Sequence, residues 1–205
     1  ETTLTFGSNS LPVQSFFGSS IDSAVDLSDF ETSYLKSEEG GLSLSANYGL
    51  ENARLIIGVS NPVKHNNYSD SIIGSQQSII ASLEYGDLSD TSITLMSGIT
   101  QEKDNLLGLQ GSDAFSTVGA KSNTVFSALK AQSNLNDNLT LTGIATLANT
   151  NMNQPELSFI DSANNVRSSS LALVASQKNI TGNDHLSLSV SQPDRIHGGE
   201  MSIRM

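Results

Sequence analysis

Three polar reversals divide the second half of this chain evenly. Asp90 in LSDTSITL, Asp137 in NLNDNLTLTG and Asp184 in GNDHLSLSV follow one another at intervals of 47 residues. Each lies between two stretches in which apolar and small polar residues alternate. A side-chain period of two belongs to a strand, because successive Cβ atoms point to opposite faces. Leu139, Leu141, Gly143, Ala145 and Leu147 would share one face of a strand, whereas a helix would scatter them around its axis. Asn, Asp and Gly tolerate positive φ and bond to their own backbone, so they suit sites where strands reverse over a few residues. The repeat therefore predicts three long hairpins.

In the first unit SQQSIIASLEYG reverses at DLSD into TSITLMSGITQE, and in the second NTVFSALKAQSN reverses at LNDN into LTLTGIATLAN. The third takes SSLALVASQKNI through TGND into HLSLSVSQP. The apolar face begins at Ile93 after the first turn, but one place earlier, at Leu139 and Leu186, after the other two. A bulge or a shifted turn is expected to absorb that difference. Upstream, Leu42, Leu44 and Ala46 alternate with Ser43, Ser45 and Asn47, and RLIIGVSN adds a strand whose Ile56, Ile57 run interrupts the alternation. The chain reads as one β-rich domain over residues 1–205, with an irregular lead-in at 1–40 and antiparallel hairpins at 41–205. We count about eight strands from residue 41, with GGEMSIRM starting another. Long connections, KDNLLGLQGSDAFSTVGAK and TNMNQPELSFIDSANNVR, separate the hairpins.

Tight turns at one end, long loops at the other and strands of about ten residues are the pattern of an all-β, antiparallel up-and-down β-barrel spanning an outer membrane, complete or incomplete. One face of each strand is aliphatic and the other is Ser, Thr, Asn or Gly, which suits a wet lumen. The alternative is a β-sandwich with one solvated face. Favouring that alternative, the chain has no Trp and only 5 % aromatics, whereas membrane barrels carry aromatic girdles.

The composition narrows the chemistry. A net charge of −11 with ten Lys plus Arg disfavours nucleic acid as a partner. Without cysteine there is no disulfide framework, Cys-zinc site or thiol nucleophile. His65, His185 and His197 fall in or near expected turns without a metal-ligand spacing, so no metal and no cofactor is expected. Glu38, Glu39, Asp104, Asp113 and Asp161 read as solvated charges rather than a paired acid and base. Ser112 lacks the Gly-x-Ser-x-Gly elbow of an α/β-hydrolase nucleophile. Asn67, Asn138 and Asn179 stand in Asn-x-Ser/Thr sequons, but the last two serve expected turns. NNYSDS and NLNDN are rich in oxygen ligands without the calcium-loop spacing. No catalytic residue is assigned, and the chain is not expected to be an enzyme in its own right.

Leu106, Leu107, Gly108, Gly111, Ser112, Ala114 and Phe115 in LLGLQGSDAFS, followed by Ser191, Gln192, Pro193, Arg195 and Ile196 in SQPDRIHGG, carry a family resemblance. Over about residues 15–205 the chain resembles the C-terminal region of secreted, autotransporter-like bacterial subtilisin-family serine proteases, with Asp113 in place of a glycine and Asp194 in place of a leucine. The resemblance implies a non-catalytic β-domain that anchors or translocates an exported protease passenger at the outer membrane, the catalytic domain lying upstream. It also implies strands beyond SQP, and hence a fragment or incomplete barrel whose open edge needs a partner. The competing expectation is a soluble extracellular β-domain that mediates assembly or adhesion, polymerising through open sheet edges.

Overall fold

The computed structural model describes residues 2–7, 41–62, 75–87, 90–104, 119–153, 160–182 and 184–203. These hold nine strands: β1 (Thr2–Gly7), β2 (Gly41–Gly49), β3 (Ala53–Pro62), β4 (Ser75–Asp87), β5 (Thr91–Lys103), β6 (Lys121–Asn136), β7 (Leu139–Asn153), β8 (Ile160–Lys178) and β9 (His185–Ile203). They form one sheet in chain order, every neighbouring pair antiparallel, with β1 and β9 as its edges. The fold is thus an all-β up-and-down meander, left open like an incomplete barrel. A sandwich needs two facing sheets, and the described residues form a single one.

The three expected hairpins are β4–β5, β6–β7 and β8–β9, and their turns lie together. Asn134 N–H donates to the Asp90 carbonyl (2.7 Å), and Lys178 N–H to the Asn138 carbonyl (2.8 Å). Gly86 N–H reaches the Asn52 carbonyl (3.0 Å), which joins the β2–β3 turn to the same row. The equal sequence intervals conceal unequal turns. Asp87 pairs with Thr91, Asn136 with Leu139 and Lys178 with His185, so the reversals differ in length. The one-place offset noticed in the sequence is taken up by both devices, because the register also shifts between Asn134 and Asn136, leaving Leu135 as a bulge.

Three expectations need correction. The lead-in opens with a strand, since Thr2–Gly7 pairs with Ser43–Tyr48; residues 8–40 lie outside the described part. GGEMSIRM starts no new strand: Gly198 to Ile203 continue β9, paired to β8 across several register shifts. TNMNQPELSFIDSANNVR is mostly strand as well, because β7 runs to Asn153 and β8 begins at Ile160. Its polar residues suggested a loop, yet pairing along a long neighbour outweighs weak β-propensity.

Alternation shows that a strand has two faces but not which one is inside. Here the polar face is the inner one. Ser78, Ser82, Thr94 and Lys130 are buried, while Ile79, Leu83, Leu95 and Leu129, one place away, are exposed, and Thr100, Thr124, Thr142 and Thr150 are buried likewise. The Ile56, Ile57 run follows the same rule, with Ile56 only 4 % exposed and Ile57 50 %. Among the inner hydroxyls, Ile80, Met96, Phe126, Ala128 and Ala148 make one apolar cluster. Ala120, Met152, Ile160, Ala163 and Val166 make a second near the loop end of β6–β8.

Gly98 shows why that cluster packs closely. It faces inward, opposite Phe126 in the register, and the ring of Phe126 occupies the space a side chain would need. A Cβ on Gly98 would lie 2.5 Å from Phe126 Cζ and 2.8 Å from the Ile79 carbonyl oxygen. An aromatic ring laid over a cross-strand glycine fills the gap that the missing side chain leaves in the sheet.

Candidate functional surface

The outer face carries a belt. On β4 it runs Ile79, Ala81, Leu83, Tyr85; on β5 Ile93, Leu95, Ser97, Ile99; on β6 Val125, Ser127, Leu129, Ala131; and on β7 Leu141, Gly143, Ala145, Leu147. No outward residue in these segments is charged. Ser97 and Ser127 sit mid-belt, but Ser97 Oγ donates to the Phe126 carbonyl (3.0 Å) and Ser127 Oγ donates to Ser97 Oγ (3.3 Å). Both hydroxyls therefore keep hydrogen bonds where no water need reach them. The exposed Tyr48 and Tyr85 lie toward the turn-end margin of the belt.

The belt also changes register in one direction. Val125–Ala131 of β6 pairs with Asn149–Gly143, yet the apolar stretch of β7 is Leu141–Leu147, two residues nearer the turn end. On β8 it comprises Leu171, Leu173 and Ala175, whereas Leu186, Leu188 and Val190 of β9 pair with Gln177, Ala175 and Leu173, a further step the same way. A level slab cuts tilted strands at steadily shifted registers. The outward charges Lys103, Lys121 and Arg167 stand on the loop side of the belt.

The inner face is polar and cross-linked. Ser78, Thr100, Thr124 and Thr150 form one register row across four strands. Within it, Ser78 and Thr100 hydroxyls bond at 3.0 Å, and those of Thr124 and Thr150 at 2.8 Å. Toward the loop end Ser122 donates to Glu102 Oε2 (3.0 Å). Toward the turn end Arg54 donates Nε–H to Glu84 Oε2 (2.9 Å) and ion-pairs with the same oxygen through Nη2. Among the described residues Glu84 Oε1 and Thr146 Oγ1 are buried without a protein hydrogen-bond partner, acceptors that water on the inner face would satisfy. An opening of about 470 Å³ beside this ion pair is lined by Leu50, Asn52, Arg54, Glu84 and Tyr85 among others.

The candidate chemical residues are scattered. His65, Ser112, Glu38, Glu39, Asp113 and Asn67 lie outside the described residues, as does the LLGLQGSDAF motif. Asp104 Oδ1 accepts Gly119 N–H (2.7 Å). Asp161 is in β8 and His185 opens β9. The sequon residues meet across two turns, Asn179 Nδ2 donating to Asn138 Oδ1 (3.2 Å). The Asp184 carboxylate accepts the Thr181 hydroxyl (2.7 Å) and the Thr181 N–H, which hold it below the usual carboxylate range. One contact was not foreseen: Ser169 and His197 are hydrogen-bonded across β8–β9 on the exposed surface. The register shifts between them, so sequence spacing alone could not have paired them. Among the described residues no group of three His, Asp or Glu could hold a metal ion, and no helix is long and apolar enough to cross a membrane. Comparison with family models, curated proteins and solved structures gave no match.

Proposed function

We propose that this chain is a membrane-embedded β-domain that anchors an exported passenger at the bacterial outer membrane. The observation that carries the reading is the inverted packing: an uncharged aliphatic belt outside, and hydroxyls, carboxylates and an ion pair inside. In water that arrangement exposes the wrong face, whereas in lipid it satisfies both. The drift of the belt toward the turn end across β6–β9 adds to it, although the belt keeps one register across β4–β6. The interior is occupied by Phe126, Met96 and Ile80, which favours anchoring over a wide passage. A serine protease as passenger follows from the resemblance alone, and no catalytic role is assigned to this chain.

Partitioning tests the reading. The chain should require detergent to stay monodisperse and should float with phospholipid vesicles; a monodisperse monomer in plain buffer would overturn it. The second reading is a soluble extracellular domain that assembles through its edges, and β1 and β9, the two edges of the sheet among the described residues, favour it. On that reading concentrated protein forms ordered polymers in buffer, visible by electron microscopy, and a persistent monomer counts against it.

A further inference from the structure

The outward cations of the described strands gather at one level. Lys103 of β5, Lys121 of β6, Arg167 of β8 and Arg195 of β9 are all exposed. Residues paired across strands share a face, and Arg195 pairs with Ser169, whose other partner is Leu147 of the belt, so Arg195 also points outward. Counted from the centre of its own strand's belt, each cation stands six or seven positions toward the loop end. That is about 20–23 Å along the strand and about 14–16 Å in depth once the strand is tilted, just outside an apolar band about 25 Å tall. The turn end is mainly acidic, with Asp90, Asp137 and Asp184 at its three reversals and Lys178 beside the last. In a chain of net charge −11, four of the ten Lys and Arg thus share one margin of the belt.

Within that margin like charges meet. Lys103 and Lys121 are directly opposite in the register, an arrangement that repels unless an anion lies between them. On β8–β9, Ser169 is two places from Arg167 and paired with Arg195, and its hydroxyl is bonded to His197. Two guanidiniums, a hydroxyl and an imidazole on one patch of the outer surface are a donor set for phosphate oxygens. Asp194 shares the register shift beside Arg195, and one carboxylate reduces without cancelling the charge of two guanidiniums. Among the described residues none of the four cations has a carboxylate partner, the one ion pair there being Arg54–Glu84. We propose that this margin, through Arg167 and Arg195 above all, holds the phosphate of a net-anionic lipid headgroup whose acyl chains lie along the belt. The inference rests on the membrane reading and names the class of lipid that the belt selects. Arg and Lys suit that level because their stems lie along apolar surface while their charged ends stay in the headgroup layer.

Native mass spectrometry of the full chain, released from neutral detergent micelles that contain equal amounts of phosphatidylglycerol and phosphatidylcholine, reads the preference. The unaltered chain should retain phosphatidylglycerol over phosphatidylcholine. Arg167→Gln and Arg195→Gln should each reduce that preference about fivefold, whereas Lys178→Gln, which removes the same charge at the turn end, should leave it unchanged. Equal retention of the two lipids, an equal loss in Lys178→Gln, or displacement of phosphatidylglycerol by inorganic phosphate would each overturn the proposal, the last by marking a site for a free anion. Flotation of the unaltered chain with phosphatidylcholine vesicles reports separately on the membrane reading: flotation together with equal retention defeats the lipid preference alone, and failure to float defeats the reading beneath it.

Discussion

Leu95→Arg distinguishes a lipid-facing belt from a merely exposed one. On β5 the belt runs from Ile93 to Ile99, so its centre falls at position 96. Leu95 is one residue away, about 3 Å along the strand and less in depth once the strand is tilted. Its register partners on the outer face are Leu83 and Leu129, which offer an inserted guanidinium no acceptor. Thr91, on the same face, is five positions from the centre, about 16 Å along the strand or about 12 Å in depth, which is the margin of a band about 25 Å tall. Native charge observes this boundary: the nearest outward charges on β5 and β6, Lys103 and Lys121, are each seven positions from the centre of their strand's belt.

In lipid, Leu95→Arg should therefore cost about 2–4 kcal/mol and Thr91→Arg about 0–1 kcal/mol. If the belt faces water, both are surface substitutions expected to stay within about 0.5 kcal/mol. The assay is equilibrium urea unfolding of the vesicle-reconstituted protein, followed by far-ultraviolet circular dichroism because there is no tryptophan to report. Equal shifts for the two variants, or a shift for Leu95→Arg below about 0.5 kcal/mol, would refute the assignment of the outer face.

Four further outcomes follow from the same structure. Gly98→Ala forces a methyl group against Phe126 and the Ile79 carbonyl, so it should destabilise by about 1–3 kcal/mol; Phe126→Ala removes only one of the two clashes, and the double variant in the same unfolding assay should show partial, not full, relief. Arg54→Ala leaves the buried Glu84 carboxylate unpaired and should lower stability by more than the median of about 1 kcal/mol for point substitutions; a neutral result would mean that water already compensates Glu84. The Asp184 carboxyl is held below its unfolded value near 3.8, so its contribution to the β8–β9 turn is present above that pH and lost as pH falls through the lower folded value; amide exchange at Thr181 should accelerate over that window, and Asp184→Asn should remove the pH dependence. The belt spans Ile79 to Tyr85, about 20 Å along the strand and about 14 Å in depth once the strand is tilted, which is short for a bilayer core of about 30 Å; folding yield in vesicles should rise as acyl chains shorten, and indifference to chain length would contradict a lipid-matched belt.

The hairpins were legible because Leu139–Leu147 and its counterparts keep a strict period of two, and because Asn136, Asp137 and Asn138 leave little choice about where the chain reverses. What escaped was set by neighbours. Thr2–Gly7 has only Leu4 and Phe6 to mark a period, and it pairs as a strand with Ser43–Tyr48. Asn149, Asn151 and Asn153 have poor strand propensity but extend β7 because β6 runs alongside them. The Ser169–His197 contact depends on the register shifts of β8–β9, which no single-strand pattern contains.

The sign of the alternation is the most consequential thing that sequence could not supply. A period-two pattern is unchanged when the two faces exchange roles, so Leu-Ser-Leu-Ser suits a half-solvated sheet and a lipid-facing one equally. What breaks the symmetry is the inner row. Arg54 and Glu84 answer one another across β3–β4, as Ser78 and Thr100 do across β4–β5 and Thr124 and Thr150 across β6–β7. Among the described residues these polar pairs are buried, Arg54 in part, whereas the outer aliphatic residues are exposed with only their cross-strand neighbours beside them. Among the described residues the polar row is buried and the apolar one exposed, the arrangement that the proposed apolar medium would reconcile, and Leu95→Arg tests for that medium directly.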